Sequence, residues 1–389
     1  MGKAPLYDES YLGNVKAWSE YYKAKVGFRN YWYAAAFSKE IADGDHLART
    51  ILGEDILFRR INGKVYAMKD RCIHRGIKLS DKVECHTDST ISCWWHGFTF
   101  RWSDGLVTDI VGAPESSHIG RAKIKVYPVE EAQGMLFVFI GDKDVEVPPL
   151  SEHLPPGFLD DNRILEGEVM VIEANWRMGP EGGIDEIHRY LHRTSRLLLD
   201  TKATMPLGHT GVTEQCKIFE DDGKPKGILD DYSSGNMYFE VDIDGQPSVV
   251  TGVRFADTGT KRKRTVSTSV WLPGVLSVEG FPEDGGVFYE FYVPVGENQY
   301  RNFMVLTQTC KTDEEASAFR SRYYSRWREY TVNDFLMQDN AARASAGQYY
   351  KNDKAWVEER LCREDFMLIE WRKLCSRNSK GVQTADHLD

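Results

Sequence analysis

Cys72-Ile-His74, eighteen intervening residues, then Cys93-Trp-Trp-His96 is the stretch that decides how the first third of this chain folds. Two short Cys/His pairs, each on a turn beside expected strands, bring four metal-binding side chains to one point. Singly, each residue reads as a buried thiol or a satisfied histidine; at this spacing the four read as a ligand set. The flanks are β. Ile56-Leu-Phe-Arg-Arg-Ile61, Asn62-Gly63 and Lys64-Val-Tyr-Ala-Met68 form a hairpin, because Asn-Gly takes the positive φ values of a type I′ turn. Met135-Leu-Phe-Val-Phe-Ile140 is apolar throughout and short enough for a buried strand. Pro148, Pro149, Pro155 and Pro156 punctuate residues 142–158, which suit neither a continuous helix nor a central strand, so a domain boundary falls there.

The order of the donors bears on the metal. Zinc-finger sites usually keep two Cys in one pair and two His in the other. Here each pair is Cys followed by His, which suits a [2Fe–2S] cluster with one iron on both thiolates and the other on both imidazoles, the Rieske arrangement. Neutral imidazoles in place of anionic thiolates make an added electron better tolerated. Cys85-His86 lies between the pairs, but adjacent strand residues point to opposite faces, so it reads as a bystander.

A second constellation follows the boundary: Glu181-Gly-Gly-Ile-Asp185-Glu-Ile-His188-Arg-Tyr-Leu-His192. On a helix, His188 and His192 project from one face about a turn apart, with Asp185 in phase before them. Two histidines need a carboxylate to complete the facial triad of a non-haem Fe(II) oxygenase, which leaves coordination positions open for O₂. Asp339, on an expected helix far downstream, can supply it, though spacing alone does not single it out among many acids.

The rest of the second part mixes types. Strands are expected at Met237–Ile243, Thr265–Leu272, Val287–Val293 and Arg301–Gln308. Thr312-Asp-Glu-Glu315 is a capping box ahead of a helix, and Trp356–Leu374 has helical period. With no repeat of 20–50 residues, an antiparallel sheet packed by helices, α+β, is the simplest class.

Composition narrows the function. A chain of 389 residues predicts two or three domains, and 41% apolar against 28% charged residues predicts a well-filled core. With 49 basic and 59 acidic side chains the net charge is −10, which argues against nucleic-acid or anionic-membrane binding. The basic run Lys261–Arg264 reads as a solvated loop. No stretch has the apolar length of a membrane span, and the first residues lack signal-peptide and myristoylation patterns. Seven scattered cysteines suit a reducing compartment, so a cytoplasmic protein is expected.

Cys-x-His…Cys-x-x-His followed by Asp-x-x-His-x-x-x-His resembles the terminal oxygenase α subunit of the Rieske non-haem iron ring-hydroxylating oxygenases. Gly27-Phe-Arg-Asn-Tyr-Trp-Tyr, Asn175-Trp-Arg, Trp271-Leu-Pro-Gly-Val-Leu and Trp371-Arg-Lys-Leu are similar to the branch that attacks carbazole, whose members are homotrimers without a β subunit.

The resemblance implies a helical segment over 1–30 packing with the catalytic domain, a Rieske domain over 31–150, and a catalytic domain of helix-grip, START-like fold over 151–389. It implies Cys72, His74, Cys93 and His96 as cluster ligands, and His188, His192 and Asp339 as ligands of a mononuclear non-haem Fe(II). Asp185 matches the aspartate that links the iron site to His96 of the partner subunit. In the substrate pocket it implies a backbone carbonyl from Gly183, aromatic walls from Phe281 and Phe335, and threonines at 265 and 268 where relatives tend to be aliphatic. Two departures stand out. Glu186 follows the bridging aspartate where the family has Pro, and Gly182, after Glu181, replaces a commoner Asn.

The implied activity is dioxygenation: electrons arrive from a ferredoxin, and both atoms of O₂ go onto adjacent carbons of a polycyclic aromatic, carbazole or a dibenzofuran-like relative, by angular attack. The chain lacks a Gly-x-Gly-x-x-Gly fingerprint, so NAD(P)H is expected to be consumed by a separate reductase. A Rieske monooxygenase or oxidative demethylase shares these motifs, and a zinc-binding protein without enzymatic activity is the distant alternative.

Overall fold

The structure, a computed structural model, describes residues 3–185, 187–201, 203–204, 216–219, 226–230, 238–242, 250–251, 254–255 and 261–388. Two compact units emerge: Arg29–Pro148 with Asp386–Asp389, and Met1–Phe28 with Pro149–Ala385. The expected boundaries differ at the end of the chain, where the last four residues group with the first unit and not with the catalytic one. No helix among the described residues is long and apolar enough to cross a membrane.

The unit built on Arg29–Pro148 is a set of small antiparallel sheets. Tyr31–Phe37 pairs with Met135–Ile140, which pairs with Val129–Ala132; all six residues of 135–140 are buried. A four-stranded sheet runs His46–Ile51, Glu54–Ile61, Lys64–Lys69, Val126–Tyr127. Its central hairpin turns on Asn62 (φ 51°) and Gly63 (φ 79°), the conformation an Asn-Gly pair is suited to. Thr90–Ser92, Phe98–Arg101 and Val107–Ile110 form the third sheet, and Phe98, Phe100, Trp102, Ile91 and Leu79 pack around Cys72 and Cys93.

The second unit holds a seven-stranded antiparallel sheet, in the order Arg163–Ile172, Gln299–Thr309, Gly286–Gly296, Val275–Glu279, Ser267–Trp271, Gly227–Asp230, Cys216–Phe219. Thr312 caps the helix Asp313–Arg322, its Oγ1 accepting from the Glu315 N–H at 3.2 Å. Tyr323–Phe335 then winds as a π-helix, closed by the Leu336 N–H bonding to the Thr331 carbonyl, before an α-helix resumes over Leu336–Tyr350. Such wide turns recur at functional sites.

Several expectations need correction. The strand expected over Thr265–Leu272 is two: Lys261–Thr265 pairs with Tyr238–Asp242 in a separate sheet, and Ser267–Trp271 joins the main one after buried Val266. The basic run Lys261–Arg264 is therefore strand, not loop. Met237 and Ile243 lie outside the described residues. The helical period over Trp356–Leu374 is broken into Ala355–Glu358 and Phe366–Arg377. Glu359 turns extended, its Oε1 pairing with Arg372 and its Oε2 accepting the Tyr350 hydroxyl, while Asp365 Oδ2 caps the Cys362 N–H at 2.7 Å and restarts the chain.

Candidate active site

The two Cys/His pairs sit on loops with the same backbone wiring. The Cys72 N–H donates to the Ile77 carbonyl (2.9 Å) and its carbonyl accepts from Gly76 (2.8 Å); the Cys93 N–H donates to Phe98 (2.7 Å) and its carbonyl accepts from Gly97 (2.9 Å). Gly76 (φ 73°) and Gly97 (φ 70°) take the left-handed conformation that turns each loop back on itself. Both cysteines are buried, while the His74 and His96 rings lie edge to face near the surface, 4.6 Å apart. Burial, with the Cys93 thiol beside it, pushes the Cys72 thiol up to about 12. A cation bound between them is what makes such buried thiolates tolerable, so two buried thiols and two outer imidazoles fit a [2Fe–2S] cluster held by both residue types. Cys85 turns elsewhere, its Sγ 3.4 Å from His46 Nε2.

In the second unit His188, His192 and Asp339 offer ligand atoms that lie within 4.8 Å of one another. The local structure differs from expectation: His188–Thr194 is a 3₁₀-helix, and Asp185 is not on its face but in the extended link after the helix Met178–Ile184. There Asp185 Oδ1 accepts the Ile187 N–H (3.0 Å) and the His188 N–H (3.2 Å), and its carbonyl contacts His188 Nδ1. His192 Nδ1 lies 3.3 Å from Gln338 Oε1, and Phe335 stacks on its ring at 3.6 Å and 8°. Asp339 enters from the first turn of Leu336–Tyr350, with its Oδ1 3.8 Å from His188 Nε2 and 3.5 Å from His192 Nε2. His192 Nε2 is buried with no hydrogen-bond partner. An orphaned imidazole nitrogen facing a carboxylate is costly unless a cation lies between them, and two His with one carboxylate suit Fe(II) with open positions. Burial alone would raise the Asp339 carboxyl, but His192, Arg343 and His188 hold it well below the usual carboxylate range. Burial pushes His188 down, keeping it a neutral ligand.

Behind His188, His192 and Asp339 lies a buried polar network that the sequence reading missed. Glu290 accepts from Asn302 Nδ2 (2.6 Å), the Tyr292 hydroxyl (2.7 Å) and Arg343 Nη1 (3.1 Å). Arg343 is one turn beyond Asp339 on the same helix. A lone acid inside the apolar strand Val287–Val293 was the available signal. Gln338, adjacent to Asp339, was equally visible. Glu181, just before the departure at Gly182, accepts from Tyr21 (2.6 Å) and from Arg372 Nε (2.9 Å) and Nη2 (2.7 Å), which anchors the helix carrying Gly182 and Gly183.

A cavity of about 680 Å³, including its mouth, opens onto the three ligands. Gly183, Thr268, Phe281 and Phe335 line it, together with Val266, Leu276, Val278 and Phe288. For Thr265 only the backbone, in the strand Lys261–Thr265, belongs to the description, and Glu186 lies outside the described residues. A Cβ at Gly183 would stand 2.8 Å from Leu276 Cδ1, so a larger residue there displaces that side chain.

Comparison with known proteins extends this picture to the whole chain. Residues 31–128 match the Rieske [2Fe-2S] domain and residues 139–383 the homotrimeric ring hydroxylase family. The terminal oxygenase component of carbazole 1,9a-dioxygenase from Metapseudomonas resinovorans is 42% identical over 98% of each chain, and its counterpart from a Sphingomonas species is 42% identical over 95% of this chain and 97% of that one. The solved terminal oxygenase from Novosphingobium sp. KA1 superposes with a TM-score of 0.86 at 40% identity, covering 97% of this chain and all of that one. A cluster site, a 2-His-1-carboxylate site and an aromatic-walled cavity thus occur in a chain that matches these proteins end to end, and it belongs to the Rieske homotrimeric ring hydroxylases.

Proposed function

We propose that this protein is the terminal oxygenase of a multicomponent dioxygenase that adds both atoms of O₂ to a planar polycyclic aromatic, carbazole or a close relative. The observation that carries the reading is the facial His188–His192–Asp339 group opening onto a cavity walled by Phe281, Phe288 and Phe335. Its relatives are named as carbazole 1,9a-dioxygenase oxygenases, and one solved structure is the reduced complex between oxygenase and ferredoxin. These names support a ferredoxin as electron donor, with a separate NAD(P)H-dependent reductase behind it. When bound, the cluster and the mononuclear iron supply electron storage and O₂ activation, chemistry no side chain has.

The chain's own share is positioning. Cys72, His74, Cys93 and His96 would hold the cluster, and His188, His192 and Asp339 the iron. The aromatic walls would exclude water and hold a flat ring system, and the Gly183 carbonyl would accept a substrate N–H. Asp185 is the proposed bridge to His96 of the partner subunit in a closed three-fold ring. Its Oδ1 is taken by local N–H groups, while Oδ2 has no partner among the described residues, as a metal-bound imidazole's second N–H requires. Exposed apolar side chains flank both sites, Trp95 (49% exposed) beside His96 and Tyr190 (57%) beyond Asp185, which supports an interface between copies. Cys72, Cys85, Cys93, Cys310, Cys362 and Cys375 are free thiols, in keeping with a cytoplasmic protein.

The test is turnover of carbazole under ¹⁸O₂ by the iron-loaded protein with ferredoxin and reductase. Two labelled oxygens in an aminobiphenyl-diol product support the reading; a singly labelled phenol would assign a monooxygenase. Asp185→Asn tests the bridge: unchanged ferredoxin-driven turnover, or an active monomer in sedimentation, would remove it.

A further inference from the structure

On the sheet side of the cavity the strand register sets Thr268 opposite Val278 and Val278 opposite Phe288, so these three side chains stand in one row. All three line the cavity, and Val266, Phe281 and Phe335 continue the apolar wall around them. Thr268 breaks that wall with a hydroxyl. The residue is 9% exposed, and its hydroxyl has no hydrogen-bond partner among the described residues. Two neighbouring buried hydroxyls of the same sheet are satisfied: Ser269, on the opposite face of the same strand, accepts from Trp271 Nε1 at 2.7 Å, and Thr307 donates to the Val287 carbonyl at 3.0 Å. Nor is there a spare acceptor in the next row, where Glu290 is occupied by Asn302, Tyr292 and Arg343.

We propose that Thr268 is a specificity-determining donor, giving its proton to an oxygen acceptor, a ketone or ring ether, on a planar tricyclic substrate. This rests on the aromatic-oxygenase reading of the cavity and adds to it a preference within the class. A hydroxyl is donor and acceptor at once. In the free protein water meets it. A hydrocarbon of matching shape displaces that water and leaves the donor bare, whereas an oxygen-bearing ring replaces it. The site therefore discriminates between ligands of the same outline by a single atom, the kind of selectivity a hydrogen-bonding site achieves and an apolar one does not.

The experiment uses the metal-loaded protein, without O₂ for binding and with O₂ for turnover, and fluoren-9-one, dibenzofuran and fluorene as probes. Dissociation constants come from calorimetry, and kcat and KM from ferredoxin-driven turnover. Thr268→Val keeps the shape and removes the hydroxyl; Thr268→Ser keeps the hydroxyl. The expected result is tighter binding of fluorenone than fluorene by the wild type. That ratio falls about ten-fold in Thr268→Val, through KM, and is retained in Thr268→Ser. An unchanged ratio in Thr268→Val, with tricycle binding intact, would overturn this proposal alone. Binding of none of the three probes by the wild type would overturn it together with the reading of the cavity.

Discussion

Gln338 Oε1 lies 3.3 Å from Nδ1 of His192, and this contact selects which ring nitrogen turns its lone pair toward Asp339. An amide oxygen accepts, so Nδ1 carries the proton and Nε2 keeps its lone pair toward Asp339. Gln338→Leu removes the acceptor without adding charge. The expected outcome is Fe(II) affinity lower by about 10–100-fold, read by chelator competition, with the reduced cluster's EPR signal unchanged.

The Glu290–Arg343 pair is buried on both sides. Glu290→Gln would leave a guanidinium in the interior without its counter-charge, at a cost of roughly 3–5 kcal/mol. Urea unfolding should show that loss, and Glu290→Gln combined with Arg343→Met should recover most of it. Equal stability of single and double variants would mean the pair is not coupled.

Gly183→Ala places a methyl 2.8 Å from Leu276 Cδ1 and 3.3 Å from the Tyr292 hydroxyl. Leu276 yields by swinging into the cavity, so substrate space shrinks while the ligands stay in place. We expect kcat/KM to fall by about ten-fold or more with iron content unchanged.

Stability should decline in acid through a histidine remote from the metal ligands. His153 is buried beside Lys380, 2.9 Å from its Nζ, and burial followed by that cation pushes its pKa down from 6.5 to about 3. The unfolded chain takes up a proton below about pH 6.5 and the folded chain does not. Its contribution is thus complete above that pH and is lost as pH falls toward about 3, at up to ~1.4 kcal/mol per pH unit. The urea midpoint of His153→Gln should vary less between pH 7 and 4 than that of the wild type.

Much of this architecture was legible before any coordinates. Asn62-Gly63 dictates its turn through local backbone preference alone, and the Cys72/His74 and Cys93/His96 spacing reflects two short loops with little freedom. What misled were segments governed by distant partners. The period over Trp356–Leu374 is helical, yet Glu359 leaves the helix to meet Arg372 and Tyr350. The spacing of His188 and His192 fits an α-helix, yet Asp185 caps the segment into a tighter turn. Asp339 could be tied to the histidines only by resemblance, because 146 residues separate His192 from Gln338 and no local pattern spans that gap.

The Glu181–Arg372 pair also imposes an order in time. The two residues are 191 positions apart, so at roughly 5–20 residues per second the ribosome delivers the guanidinium on the order of 10–40 s after the carboxylate. Until then Glu181 lacks the guanidinium that bonds it directly, and the short helix bearing Gly182 and Gly183 has only the Tyr21 half of its anchor. Asp339 is also translated within that interval. The cluster loops, by contrast, need only the residues near them. The nascent chain can therefore assemble its electron-storage half while its oxygen-activating half is still incomplete, and the second site closes only when both ends of that ion pair exist.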